Sequence, residues 1–276
     1  MAHALDILKV TLLLIIAARK DVVATSSGSS NSDCYSVYGT FGNAAPFDNP
    51  LVFSKAPECV SVIDTSFKLY NKAKPAGVVL DNTNPVTSDI TAGNKIVVLV
   101  HGLSTTGGHD ESMYSAMRPE LLAKKNSNNQ EYLNVITVDW TGGVKVNDLQ
   151  QSFGNARLVS AQISYFLKKL ESRGKLSCGD VHIIGFSLGA SVAGLAGKRL
   201  KAQSCQIPRI TGLDPVLYNY ESIFRALPNG AKLHRSDATY VDVIHTHTRF
   251  SDRVGNADFF PNGGQTQPGC GTSTSA

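Results

Sequence analysis

Charge is scarce in this chain. Only 17% of its 276 residues are Asp, Glu, Lys or Arg, against about a quarter in an average soluble domain. The Lys and Arg residues behind its net charge of +4 are scattered. No basic stripe marks a nucleic-acid footprint, and no nucleic-acid partner is expected. Long apolar runs are also missing. Ile7–Ala18 comes nearest, but Lys9 and Thr11 interrupt it and Arg19-Lys20 follows it. That is too short to span a bilayer and reads as a signal peptide cleaved between Ala18 and Ala24. No other stretch could cross a membrane, so the mature protein is expected to be secreted and extracellular. There is no internal repeat and no Asn-x-Ser/Thr sequon, which excludes a repeat array.

Cysteine is sparse, yet five residues suit an oxidising compartment. Cys178 precedes an apolar run and Cys205 follows a helical pattern. A strand going up and a helix coming back would set both at the bottom of a sheet, as a candidate disulfide. Cys34 with Cys59 is a second candidate, which leaves Cys270 over.

What is present is apolar: 42% of residues, enough for a sizeable core. Residues 1–24 read as the signal peptide, 25–33 as a flexible Ser/Gly/Asn leader, and 34–276 as the folded domain. Cys34–Pro57 is a loop-rich lead-in that wraps this domain. Ser66–Asn71 alternates like an antiparallel edge strand. Strands are expected at Lys95–Val100, Asn134–Trp140, Val181–Ile184, Arg209–Asp214 and Tyr240–His245. Helical spacing marks Ser112–Lys125, Phe153–Leu170 and a segment from the end of Val181–Ile184 to about Gln203. This alternation favours a mostly parallel sheet with helices on both faces, whose ligands sit at the carboxyl ends of the strands.

The chain is organised around Asp180–Ala190, DVHIIGFSLGA. An apolar run meets Gly185-Phe186-Ser187-Leu188-Gly189, then Ala190, Ala193, Gly194, Ala196 and Gly197. Strand, tight turn and slim helix make the nucleophile elbow of α/β-hydrolases. The turn holds the Ser187 hydroxyl at the sheet rim, with free N–H groups of the helix behind it. Serine chemistry also needs a base, an acid to orient it, and oxyanion donors. Asp214 ends the next strand and is the candidate acid. The backbone N–H groups of Leu188 and Leu103 are the candidate oxyanion donors. His101 is expected to be structural. Of the seven histidines, His3, His182 and His245 are unsuited to act as base, and His109 and His247 lie on loops of the right face. In this fold the base normally follows the acid, behind the last strand, and the tail after Cys270 holds no histidine.

Eight segments together carry a resemblance: CYSVYGTF, VLVHGL, VITVDW, FGNARLVSAQIS, HIIGFSLGASVAG, RITGLDP, DATYVDVIHT and DFFPNGGQTQPGC. From Cys34 to Cys270 the chain resembles the pancreatic-lipase family of secreted lipases, in its arthropod neutral-lipase and phospholipase A1 branch. The resemblance implies hydrolysis of carboxylic esters in acylglycerols or phospholipids at a lipid–water interface. It casts Ser187 as nucleophile and Asp214 as triad acid. It sets the catalytic histidine in a Cys-x-His-x-Arg segment beyond the PGC motif. The expected architecture is thus an α/β-hydrolase fold whose final strand–helix unit is missing from this sequence. Phe186 stands where the family usually has His, and Thr40 where a cysteine would usually pair with Cys34. The resemblance also implies calcium in the loop before the Asp237-Ala238-x-x-Val241 strand. Asp237 matches one acidic ligand, but His234 stands at another, so no cofactor is expected. The short His247–Ala257 loop goes with phospholipase A1 activity in the family. A different class of function, a non-catalytic lipid-binding or yolk-type storage protein on the same fold, fits the missing histidine.

Overall fold

The computed structural model describes residues 32–50, 55–85, 87–215, 227–247 and 253–270. The chain divides into Met1–Asn31 and Ser32–Ala276. The expected signal peptide, its cleavage region and most of the leader lie outside the described residues. The second unit opens with a helical turn over Ser32–Tyr35.

Eight strands form one sheet: β1 (Ser66–Asn71), β2 (Lys74–Leu80), β3 (Lys95–Val100), β4 (Leu133–Asp139), β5 (Val181–Phe186), β6 (Arg209–Leu213), β7 (Tyr240–Ile244) and β8 (Ala257–Phe259). Their order is β2-β1-β4-β3-β5-β6-β7-β8. Strands β3 to β8 are parallel, and β1 is antiparallel to both β2 and β4. This is the expected α/β-hydrolase architecture, with all six anticipated strands in place.

Two strands differ from expectation. Ser66–Asn71 is antiparallel but is not the edge, because β2 pairs outside it. The sequence KPAGVVL hides a strand behind Pro75 and Gly77. An edge strand tolerates both: Pro has no N–H to offer the ladder, and Gly77 takes φ +80° beside the Tyr70 ring. The other, β8, is only three residues long and too short to show a period.

Three longer helices cover the sheet. Helix α1 (Ser112–Leu122) starts where the Glu111 carboxylate accepts the Met113 N–H at 2.8 Å. It closes one face over Val97, Leu99, Val135 and Ile184. Helices α2 (Leu149–Ser172) and α3 (Leu188–Ala202) close the other over Ile96, Val98, Val100, Ile136 and Ile183. Asp148 caps α2 by accepting the Gln151 N–H. The predicted α2 stripe, Ala156 to Leu170, is buried, but so are Asn155, Arg157, Ser160, Gln162 and Ser164. The lead-in segment explains this second buried face. The Glu58 backbone N–H donates to the Asn155 side-chain oxygen, Arg157 donates to the Gly42 carbonyl, and the Thr65 hydroxyl donates to Gln162. Disulfides Cys34–Cys59 and Cys178–Cys205, with Cα separations of 4.7 and 5.4 Å, tie down the lead-in and the foot of β5. Cys270 is free and exposed.

Candidate active site

Ser187 joins β5 to α3 with φ 52° and ψ −122°. Positive φ is costly for a residue with a Cβ, by about 1–3 kcal/mol. The surroundings enforce it. The Ser187 N–H donates to the Leu213 carbonyl at 2.8 Å, and its own carbonyl accepts the Ala190 N–H at 3.0 Å. Glycine is needed on both sides. A Cβ on Gly185 would lie 2.3 Å from the Gly189 carbonyl oxygen, and one on Gly189 would lie 2.3 Å from that of Val100. The half-buried serine hydroxyl makes no hydrogen bond among the described residues. At the end of a strand flanked by β3 and β6, it faces the sheet's carboxyl rim.

Asp214 follows β6, one residue past the carbonyl that holds Ser187. Its backbone is also left-handed, φ 42°, pinned by its N–H to the Ile244 carbonyl at 2.8 Å. Three donors fix its carboxylate: the Thr246 N–H at 2.6 Å, the His247 N–H at 3.1 Å, and the Thr246 hydroxyl. Thr246 was not singled out in the sequence. Its signal is its position just past the end of β7, beside β6.

Leu103 lies in the loop after β3. That loop presses on the elbow so closely that a Cβ on Gly102 would sit 2.8 Å from Ser187 Cβ. The N–H groups of Leu103 and Leu188 meet no acceptor among the described residues. His101 builds the floor beneath them. It is fully buried and stacked on Trp140. Its Nε2 accepts the Trp140 N–H at 3.1 Å, so Nδ1 carries the proton and donates to the Gly102 carbonyl at 2.9 Å. Its own N–H donates to the Tyr114 hydroxyl, which in turn donates to the Val138 carbonyl. His101 is therefore structural, as expected. Burial alone would raise the pKa of the adjacent Asp139. The hydrogen-bond donors around it, both of Thr141 among them, outweigh that and hold the group at about 2.

Four other histidine rings bond elsewhere. His109 is bonded through both nitrogens, to Ser66 and Thr137, on strands β1 and β4. Those lie two or more strands from β5, at least about 10 Å at ordinary strand spacing. His182 bonds Thr211 on the face opposite α3. Buried His245 pairs with Asp258 at 2.8 Å and stacks on Phe260. His234 turns Nδ1 to Ser236, in the loop before β7 at the opposite rim. His247 reaches Asp214 through its backbone. The His247–Ala257 loop is described only in part, and His3 lies outside the described residues.

Asp237, the one acidic match to the implied calcium loop, has a 1% exposed side chain and accepts from Lys198 Nζ at 2.5 Å and from the His234 N–H at 2.8 Å. Burial raises its pKa to about 6, although Lys198, His234 and Lys201 all act to lower it.

A family model described as Lipase matches residues 31–275. Pancreatic triacylglycerol lipase of Oryctolagus cuniculus is 34% identical over 252 residues, covering 86% of this chain and 51% of that one. Pancreatic lipase-related protein 2 of Mus musculus is 35% identical over 255 residues, covering 86% and 49%. The chain spans about half the length of these relatives. Among solved structures, an esterase from Pyrobaculum calidifontis aligns at TM-score 0.35 and 12% identity over 65% of each chain. Among the described residues no helix is long and apolar enough to cross a membrane.

Proposed function

The chain belongs to the lipase family, and from that premise we propose that it hydrolyses carboxylic esters of lipids through Ser187. The observation that carries this reading is the strained turn at Ser187, locked by the last residue of β6, Leu213, with Asp214 the next residue after it. A binding protein needs neither the strain nor the three donors on Asp214.

In this reading Ser187 Oγ attacks the acyl carbonyl while an imidazole takes its proton. Asp214 orients that imidazole and stabilises its charged form. The N–H groups of Leu188 and Leu103 receive the oxyanion. The imidazolium returns the proton to the leaving alcohol. Water then attacks the acyl-enzyme by the same route and releases the fatty acid. The resemblance sets that base on a histidine of a Cys-x-His-x-Arg segment beyond Cys270. The substrate class is acylglycerol or phospholipid at a lipid–water interface, and the short His247–Ala257 loop favours phospholipid. The two disulfides support an extracellular setting.

The committed rings of His101, His109, His182, His234 and His245 favour one other reading, a lipid-binding protein without catalysis. A fluorescent fluorophosphonate separates the two. We expect labelling of the protein carrying the Cys-x-His-x-Arg segment that the resemblance sets beyond Cys270, abolished by Ser187→Ala with an unchanged melting temperature. No labelling of a folded chain that still binds phospholipid vesicles would replace the hydrolase reading with the binding one.

A further inference from the structure

The loop before β7 is built around a cation that belongs to the chain itself. Gly194, Gly197 and Lys198 lie on the stretch of α3 that meets this loop. A Cβ on Gly197 would lie 2.4 Å from the Asp237 carbonyl oxygen, and one on Gly194 would lie 2.9 Å from Leu233 Cα. Helix and loop are therefore in backbone contact, and Lys198 reaches across that contact. Its Nζ donates to the Asp237 carboxylate at 2.5 Å and to the Lys232 carbonyl at 2.6 Å. A carboxylate oxygen and a backbone carbonyl are what a hard divalent cation would take. Here an ammonium holds both.

The remaining donors fit calcium poorly. Calcium needs six to eight oxygens. His234 offers only its N–H to Asp237, and its ring faces Ser236. Lys201 adds a second ammonium, donating to the Ser236 carbonyl at 3.2 Å. Asp237 Oδ1 meets no donor among the described residues, so one oxygen remains for a further ligand. The site opens on a cleft of about 510 Å³, so ions have access to it.

We propose that the Lys198 ammonium takes the place of a bound divalent cation, fastening the Lys232–Asp237 loop to the nucleophile helix and freeing the fold from any need for calcium. The loop leads into β7, beyond whose end Thr246 holds Asp214, so the fastening also steadies the candidate acid.

The test is thermal unfolding of the purified chain in EDTA and in 5 mM calcium chloride, with calcium binding followed by calorimetry. We expect the same melting temperature within about 1 °C and no binding heat. A calcium-dependent rise in the unaltered chain would overturn the proposal, and this arm needs no variant. Lys198→Met should lower the melting temperature by roughly 10 °C, because it strands a buried carboxylate. Adding Asp237→Leu to it should recover part of that loss. Lys198→Ala combined with His234→Asp should gain a calcium-dependent rise absent from the unaltered chain. Calcium indifference in that double variant, or an unchanged melting temperature for Lys198→Met, would also overturn the proposal.

Discussion

The two ends of α3 treat polar groups in opposite ways. At its N-terminus the Ser187 hydroxyl and the N–H groups of Leu188 and neighbouring Leu103 meet no protein partner among the described residues. Ten residues along, Lys198 is held by a carboxylate and a carbonyl, and the loop it grips is in backbone contact with the helix. Both ends press glycine against backbone. The difference lies in what is left open. Buried polar groups without partners are costly. They are tolerable at the rim because solvent or a reacting group can reach them, whereas at the lysine end an ammonium of the chain itself supplies the partner.

Shared packing gives the harshest test of this contrast. Gly189→Ala would drive a Cβ to 2.3 Å from the Val100 carbonyl oxygen and 2.4 Å from that of His101. Neither can yield without breaking the end of β3. A loss on the order of 4 kcal/mol, or of soluble protein altogether, is expected in denaturant titration. A stable Gly189→Ala variant would mean that the elbow is looser than its backbone contacts imply.

Acid sensitivity comes from saturated polar groups away from the rim. His182 bonds Thr211, which donates to Asp242, itself held bidentately by Arg209. Burial first, then Arg209, lowers the His182 pKa from 6.5 to about 4, against the pull of Asp242. An unfolded chain takes up this proton near pH 6.5, whereas the folded chain resists it until about pH 4. The stability contribution is therefore complete above pH 6.5 and lost as pH falls through 4. It amounts to at most about 3 kcal/mol, less where solvent reaches the ring. His182→Gln should flatten the stability–pH curve between pH 6.5 and 4. An unaltered slope would move the acid sensitivity to another group.

The smallest expected effect falls on the open end. Thr246→Val removes one hydroxyl from Asp214 and leaves two backbone donors. A hydrogen bond to a charged group contributes roughly 1.5–3 kcal/mol, so fluorophosphonate labelling should slow about tenfold or more, with the melting temperature falling by only a few degrees. A large melting shift with unchanged labelling would make Thr246 part of the scaffold instead.

Much of this was legible in residue order. The runs Lys95–Val100, Asn134–Trp140 and Val181–Ile184 announce buried strands because each is apolar and short. GFSLG announces a turn because its glycines are needed where backbones touch. Lys74–Leu80 was not legible, since Pro75 and Gly77 usually end strands and only an edge position tolerates them. Nor was the buried polar face of α2, because its partners Gly42, Glu58 and Thr65 come from about a hundred residues earlier. Thr246 and Lys198 went unmarked for the same reason. Each acts on a carboxylate more than thirty residues away in sequence.

The sequence by itself determined the sheet's core strands, the serine at its rim and the acid on the next strand, because period and glycine spacing are local properties. Which polar atoms find partners was decided only in three dimensions. Tertiary packing gave Asp214 three donors and put a lysine against Asp237, and it left the Ser187 hydroxyl without a partner among the described residues. Hydrogen bonding depends on distances that chain order does not contain.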